Sequence, residues 1–207
     1  MKQLSHYRQI QLPWLHWVLQ PFPTNYKLLD LGCGEDVYDD YSNLIKRFDK
    51  TGIDRLPSAD VVSDIEKPLP FENETFDIVL SLNTFEHLHD EQSTLKESHR
   101  VLKTGGWFVG STPFLYKVHQ SPYDFNRFTH FELDALLKEA GFKDIEIHPL
   151  GTRYDVFYMT ALHYFQPIVN ETLISRVLWQ VMKLVLRFKT DEKDLGFCLG
   201  YNWIARK

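Results

Sequence analysis

Two glycines and three carboxylates follow the first apolar run of the chain and could bind a ligand. The run ends in Asp30-Leu31-Gly32-Cys33-Gly34-Glu35-Asp36. Glycines one residue apart let the backbone approach a ligand closely, although such turns also occur where no ligand binds. A dinucleotide-binding turn has another glycine where this chain has Val37. The three carboxylates would also repel a pyrophosphate, by about 1 kcal/mol or more for each close pair.

These features favour a cationic ligand that carries no phosphate. S-adenosylmethionine fits this description, because it has an ammonium, a sulfonium and a ribose. Further acids follow the next two strands: Asp54, and then Asp64 with Ile65 beside it. An acid at the end of the second strand can accept both ribose hydroxyls, and Ile65 offers adenine an apolar surface. A single acid at a strand end is often a turn cap, but three on one sheet edge favour a ligand site.

A second group of polar residues lies in the loop after Ser111. His119 and Asp124 are spaced to form a general base and its orienting partner. Arg127 could clamp an anionic or polyhydroxyl substrate. We predict these three as catalytic residues. The alternative is a loop fixed by a salt bridge between Asp124 and Arg127, with His119 as an ordinary surface residue.

His87 and His89 directly follow the most apolar predicted strand. As a metal pair they would need further ligands, and the sequence suggests none, so we predict no metal site. His87 could contact the cofactor or the acceptor, or it could begin a helix.

The elements that position these groups alternate between strands and helices. This alternation predicts a Rossmann-like α/β fold, a doubly wound and mostly parallel sheet that binds ligands at the carboxyl ends of its strands. We expect an antiparallel final strand and a helical insertion before it. Strands are predicted at Lys27–Leu31, 51–54, Val61–Ser63, Phe76–Leu82, Trp107–Ser111, Ile145–His148 and Cys198–Ala205, and helices at about 4–20, 39–47, 91–102 and, capped by Thr129, up to Ala140.

The composition fits one soluble domain. The chain has 207 residues, of which 43% are hydrophobic, and it contains 23 basic and 28 acidic residues. The net charge of −5 argues against a general nucleic-acid binder. Cys33 and Cys198 cannot build a disulfide scaffold, which favours a cytoplasmic location. The first residues also lack the apolar core of a signal peptide.

Residues 153–190 form the predicted helical insertion. Its apolar stretch from Leu173 to Phe188 is interrupted by Arg176 and Lys183. Each cation at the centre of a membrane span costs about 2.5–3.5 kcal/mol, so we do not expect a transmembrane helix. We expect residues 172–189 to pack on their own domain. The alternatives are a homodimer contact, a lid over an apolar substrate, or a peripheral contact with anionic lipid.

The ordered motifs resemble the class I S-adenosylmethionine-dependent methyltransferases. The resemblance covers about residues 25–150 and lies in LLDLGCG, GIDR, SDIEKPLPFENETFDIVLSLNTFEHLHD and LKESHRVLKTGGWFVGSTPF. Many members have a third glycine where this chain has Asp36. The string HQSPYDFNRFTHFELDALLKEAGF resembles a subgroup often found among bacterial sugar and polysaccharide biosynthesis enzymes, which also tends to lack that glycine.

The resemblance implies one methyltransferase domain over residues 1–207 that transfers a methyl group to a small molecule or glycan intermediate at oxygen. The alternative is a methyltransferase-like binding or partner subunit with a weakened site. The implied cofactor contacts are Asp30, Gly32 and Gly34 for the methionine part, Asp54 for the ribose, Asp64 and Ile65 for the adenine, and Leu82 and Asn83 at the cofactor's border, with Glu86 and His87 just beyond.

Overall fold

A computed structural model describes residues 6–34, 39–169, 177, 180 and 194–207. Within these residues, seven strands form one sheet. The strands are β1 (Lys27–Leu31), β2 (Asp49–Asp54), β3 (Val61–Val62), β4 (Phe76–Leu82), β5 (Leu102–Pro113), β6 (Lys143–Leu150) and β7 (Gly200–Arg206). The helices are α1 (His6–Leu19), α2 (Asp39–Ile45), α3 (Glu91–Val101), α4 (His130–Glu139) and α5 (Arg153–Val169), with a 3-10 turn at Phe85–His87.

The strand order is β3-β2-β1-β4-β5-β7-β6. The five strands from β3 to β5 in this order are parallel, and β7 is antiparallel to both β5 and β6. This arrangement confirms the predicted fold class. The chain builds outward from β1 to β3 and then crosses back to β4. The carboxyl ends of β1 and β4 therefore flank the switch point, where ligands bind in open α/β sheets.

Apolar side chains cover both faces of the sheet, because successive residues of a strand point to opposite faces. Leu29 and Leu31 belong to the core cluster that includes Leu95 of α3 and Leu133 of α4. Leu28 lies in the other cluster, whose members from α1 and α2 are Leu15, Val18, Leu19, Tyr41 and Ile45. The central strands are thus buried on both sides, which holds their carboxyl ends in fixed positions.

Strand β5 is longer than the sequence predicts, since it begins at Leu102 rather than at Trp107. The helix predicted at about 91–102 ends at Val101, directly before this strand. Backbone pairing with the chain terminus explains the extension: Gly105 N donates to Lys207 O (3.1 Å), and Lys207 N donates to Gly106 O (3.0 Å). Such long-range pairing leaves no local signal in the sequence.

The predicted start of α4 is confirmed. The Thr129 side chain accepts a hydrogen bond from Glu132 N (3.2 Å), as an N-cap does. Helix α5 forms the first part of the predicted insertion. The stretch at 172–189 lies outside the described residues except for 177 and 180, so its four alternatives stay predictions. In the described parts of the chain, no helix is long and apolar enough to cross a bilayer.

We predict that Gly110→Ala destabilises the fold. A Cβ atom at Gly110 would lie 2.1 Å from the ring of Trp203, which is buried in the neighbouring strand β7. Overpacking of this kind costs about 1–3 kcal/mol. The measurement is the free energy of unfolding from urea titrations. Gly196→Ala is the matched control, because its Cβ atom would meet only the tip of the Asp194 side chain at 3.2 Å. Equal stabilities of the two variants would contradict the packing described here.

Candidate active site

A cavity of about 570 Å³ opens at the carboxyl ends of β1 and β4, next to the switch point of the sheet. Its wall combines the glycine turn after β1, the ends of β4 and β5, and residues from α1 and α2. The lining residues are Tyr7, Arg8, Asp30, Gly32, Cys33, Gly34, Tyr41, Leu56, Leu82, Asn83, Glu86, Pro113, Tyr116, His119 and Gln120.

The two glycines of the turn have different roles. Both have positive φ angles, +72° at Gly32 and +63° at Gly34, which favour glycine. A Cβ atom at Gly32 would lie 2.4 Å from the Thr84 side chain, so this glycine lets β1 and the segment after β4 approach each other. A Cβ atom at Gly34 would meet no atom of the described residues within 4 Å. Among these residues Gly34 leaves room for a ligand, as the backbone of a ligand cradle must.

Carboxylates dominate the charge around this cradle. Asp30 is buried and accepts a hydrogen bond from Tyr41 Oη (2.7 Å). Asp54, at the end of β2, accepts from Gly34 N (3.0 Å) and Leu56 N (3.1 Å), and so fixes two segments of the wall. Burial raises the pKa of the Cys33 thiol to about 12, so this cysteine stays neutral and is a poor nucleophile. The open turn and its acids fit a cationic ligand without phosphates.

Asn83 follows β4 in a left-handed conformation, with φ of +54°. Its side-chain oxygen accepts hydrogen bonds from Tyr7 Oη (3.1 Å) and Ser111 Oγ (3.3 Å). Gln11 donates in turn to Ser111. Residues in such backbone conformations are found most often at functional sites, where the surrounding contacts hold them. Helix α1 thereby becomes part of the site wall.

The loop after β5 contains both interactions that the sequence leaves open as alternatives. His119 Nδ1 donates to Asp124 Oδ2 (3.1 Å), the contact expected of a base and its orienting partner. Arg127 also donates to both oxygens of Asp124, at 2.5 and 2.7 Å. The Arg127 guanidinium holds the pKa of Asp124 well below its usual range. Asp124 is thus a fixed anion that orients the ring of His119.

Glu86 joins this loop to the end of β4. Its backbone oxygen accepts from Phe125 N (2.8 Å) and Asn126 N (3.1 Å). Its side chain is fully buried, with Oε1 3.6 Å from His119 Nε2 and 3.7 Å from His87 Nε2. The Glu86 carboxylate raises the pKa of His119, because it stabilises the protonated ring. The ring of His119 therefore lies between two carboxylates.

The structure brings half of the predicted site residues to the cavity wall, and Asp54, Asp64, Ile65, His87, Asp124 and Arg127 are not among the lining residues. Asp30, Gly32, Gly34, Leu82, Asn83 and His119 line it. Asp64 is engaged with Arg55, whose Nη2 lies 2.7 Å from Asp64 Oδ1, and Ile65 belongs to the apolar core. Arg127 binds Asp124 and the backbone oxygens of Lys117 and Asn126. Glu35 and Asp36 lie outside the described residues.

His87 stands slightly apart from the residues that line the cavity. It closes the 3-10 turn at Phe85–His87, and its Nδ1 donates to the backbone oxygen of Tyr123. Its ring lies beside that of His119, with 5.0 Å between the ring centroids. The predicted alternative in which His87 begins a helix does not hold, because His87 ends the 3-10 turn and Asp90 caps the start of α3. His87 Nε2 lies 3.7 Å from Glu86 Oε1.

Several aromatic and basic residues of the wall come from segments that sequence reasoning did not assign to the site. Tyr7 and Arg8 belong to α1, Tyr41 to α2, and Tyr116 to the loop after β5. The sequence of α1 indicates only a helix that precedes the sheet. One signal was available: Gln11 is a polar residue in its otherwise apolar face, and it is buried against Ser111. Buried polar groups need partners, and here they lie at the site.

Comparisons with known proteins identify the family. Residues 29–110 match the family described as a methyltransferase domain. A "probable S-adenosylmethionine-dependent methyltransferase" of Mycobacterium tuberculosis is 28% identical over 143 residues, 61% of this chain and 52% of that protein. An uncharacterized protein of Methanocaldococcus jannaschii is 34% identical over 192 residues, 83% of this chain and 72% of that protein. The chain spans about half the length of the mycobacterial relative.

A solved structure has the same fold. The phosphoethanolamine N-methyltransferase 2 of Haemonchus contortus, in complex with S-adenosylmethionine, superposes with a TM-score of 0.60 at 17% identity, over 95% of this chain and 51% of that one. The fold, the acid-lined glycine turn and the sequence similarities agree with one another. Residues 29–110 are a methyltransferase domain, and the chain is similar to S-adenosylmethionine-dependent methyltransferases in sequence and in fold. S-adenosylmethionine, the ligand predicted from the glycine turn, is the cofactor that these similarities support.

Proposed function

We propose that the protein transfers a methyl group from S-adenosylmethionine to an oxygen of a small-molecule or glycan-intermediate acceptor. The observation that carries this proposal is the cavity wall, in which the open, acid-lined turn at Gly34 lies in one cavity with His119. When bound, the cofactor supplies a methyl group on a sulfonium: the acceptor atom would attack the methyl carbon in line as the bond from that carbon to sulfur breaks, and the demethylated cofactor would leave as a neutral thioether. The protein then has to bind the cofactor and the acceptor, align their reacting atoms and exclude water.

The cofactor side of the cavity is formed by β1, β2 and β4. In the proposal, the turn at Gly32 and Gly34 with the carboxylate of Asp30 holds the methionine part, and Asp54 holds the ribose. Asp54 is supported by its place, because it already binds the backbone of Gly34. The remaining contacts of the proposal are Asp64 and Ile65 for adenine, and Leu82, Asn83 and His87 at the border.

The acceptor side is formed by the loop after β5. A hydroxyl acceptor has to lose its proton during transfer, so an oxygen target needs a base. His119 can accept that proton at Nε2. Asp124 accepts a hydrogen bond from His119 Nδ1 and so fixes the orientation of the ring. Arg127 acts as a positioning residue, because its bidentate contact holds Asp124. Tyr7 and Tyr116 line the same part of the cavity and contact each other edge to face.

The acceptor class and the surroundings of the protein are further parts of the proposal. The string from His119 to Phe142 supports a glycan-type acceptor through its resemblance to the sugar and polysaccharide subgroup. Peripheral membrane contact through residues 172–189 and a homodimer remain alternatives for the insertion. Liposome co-sedimentation with and without residues 153–190 distinguishes a lipid-linked acceptor from a soluble one. A cytoplasmic location follows from the low cysteine content.

We predict that Asp54→Ala weakens cofactor binding while the fold is kept. Hydrogen bonds to a charged group contribute about 1.5–3 kcal/mol each, so loss of the ribose contact should lower the affinity at least about tenfold. Isothermal titration with S-adenosylmethionine and its demethylated product measures this change. Asp90→Ala is the matched control, because Asp90 also accepts a backbone hydrogen bond, from Ser93 N at the start of α3. Wild-type affinity in Asp54→Ala would show that the ribose contact is wrong.

We predict that His119→Ala lowers methyl transfer to hydroxyl acceptors by about 10²–10⁴-fold, the usual contribution of a general base. Asp124→Asn should also lower the rate of methyl transfer, since the ring of His119 loses its orienting anion. The measurement is formation of the demethylated cofactor with a panel of sugars, nucleotide sugars and small hydroxylated molecules. His89→Ala is the control, because His89 is exposed and stacks on Phe125 outside the cavity wall. Cofactor binding without turnover on any acceptor would instead favour the binding-subunit alternative.

A further inference from the structure

We propose that Glu86, His87 and His119 form a binding site for a divalent transition-metal ion in the wall of the cavity. The three residues offer one ligand atom each, and these atoms lie within 4.8 Å of one another. Sequence reasoning found two histidines after β4 but no further ligand. The fold supplies the missing ones, because the loop after β5 places His119 against the buried side chain of Glu86. The site goes beyond the proposed function, since cation binding requires no methyl transfer.

The distances fit coordination after a small adjustment. Glu86 Oε1 lies 3.6 Å from His119 Nε2 and 3.7 Å from His87 Nε2. In a tetrahedral zinc site the metal lies about 2.0–2.2 Å from nitrogen and oxygen ligands, which places neighbouring ligand atoms about 3.3–3.6 Å apart. The two spacings from Glu86 Oε1 are at or just above this range, and all three ligand atoms lie within 4.8 Å of one another. The two spacings are also too long for good hydrogen bonds between the same groups.

The outer ring nitrogens of both histidines are already engaged, as they are in metal sites. His119 Nδ1 donates to Asp124 Oδ2 (3.1 Å), and His87 Nδ1 donates to the backbone oxygen of Tyr123. A carboxylate or a backbone carbonyl at this position is the common partner of a metal-bound histidine, because it fixes the tautomer and the ring orientation. When the rings are neutral, each Nε2 then carries the lone pair, and it lies 3.6 Å (His119) or 3.7 Å (His87) from Glu86 Oε1.

The inner atoms lack the partners that burial requires. Glu86 Oε1 and His87 Nε2 are both inaccessible to solvent and make no hydrogen bond in the described part of the protein. The Glu86 side chain is fully buried. A buried carboxylate oxygen without a donor is costly, and a buried charge is usually paired or bound to a metal. A cation between the three residues would satisfy both atoms at once.

The ligand types indicate which cation would bind. Two imidazoles and one carboxylate suit zinc, cobalt or ferrous iron, whereas magnesium and calcium prefer oxygen ligands. Three protein ligands leave a coordination position open, as in catalytic zinc sites. Glu86 and His119 line the cavity, so this position would be accessible from it. His119 Nε2 cannot coordinate a metal ion and accept a proton at the same time. The ring of His119 would therefore act as a ligand when the metal ion is bound and as a base when it is not.

The test is a metal titration of the full chain without a histidine tag, after removal of bound metal with a chelator. We expect one equivalent of Zn²⁺ to bind in isothermal titration, and Co²⁺ to give visible absorption bands that Zn²⁺ abolishes and Mg²⁺ does not. His87→Asn and His119→Asn should each weaken Zn²⁺ binding at least about 100-fold. Asp124→Asn, which leaves the three ligands in place but weakens the outer contact to His119 and the contact to Arg127, should weaken it by about 10–100-fold.

His89→Asn is the matched control, because it removes a neighbouring histidine that is exposed and not part of the trio. Its Zn²⁺ affinity should equal that of the wild type. Absence of stoichiometric binding to the wild type, or full binding by His87→Asn and His119→Asn, would overturn the proposal. Glu86→Gln should also lose binding, and circular dichroism checks its fold, since this side chain is buried. No cofactor or acceptor is present in the titration, so its failure is separate from failure of the proposed methyl transfer.

Discussion

The buried side chain of Glu86 is the contact on which the arrangement of the site depends. Its backbone oxygen accepts two amides of the loop after β5, and its carboxylate faces the imidazoles of His87 and His119. A parallel sheet fixes only the ends of its strands, and the loops that follow them need their own anchors. Glu86 supplies that anchor, because it joins the loop that contains His119 to the end of β4, which borders the cofactor side.

The two sides of the cavity, which we propose for the cofactor and for the acceptor, differ in charge. On the β1 and β2 side, the carboxylates of Asp30 and Asp54 surround an open glycine turn, which favours a cationic ligand over a phosphate. On the β5 side, Arg127 neutralises Asp124 through a bidentate contact, so that Asp124 orients His119 without adding much net charge. One sheet edge can therefore hold a sulfonium cofactor and present an oriented imidazole to an acceptor.

The sequence predicts the fold and the identity of the cofactor well, because their signals are local. Strands β1 and β4 have the predicted bounds, and the glycine turn and Asp54 follow directly from the strands that place them. The early start of β5 was not predictable, since Leu102 pairs with Phe76 of β4, and Gly105 and Gly106 pair with Lys207 at the other end of the chain. The contacts of Tyr7 and of Glu86 were not predicted for the same reason, because packing between segments that are distant in sequence creates them. The structure joins His119 and Arg127 through Asp124, and their catalytic role stays a prediction. Spacing alone could not separate a salt bridge from an oriented base.

The structure contains both of those interactions, and their combination explains why neither is sufficient alone. If Asp124 contacted only Arg127, His119 would have no fixed tautomer. If Asp124 contacted only His119, the buried anion would have no strong positive partner, and its burial would be costly. With Arg127 on one side and His119 on the other, Asp124 is stabilised and still directs the ring. The carboxylate of Glu86 then faces two imidazoles. Under the two proposals, a proton or a metal ion between them would determine which chemistry the acceptor side can perform.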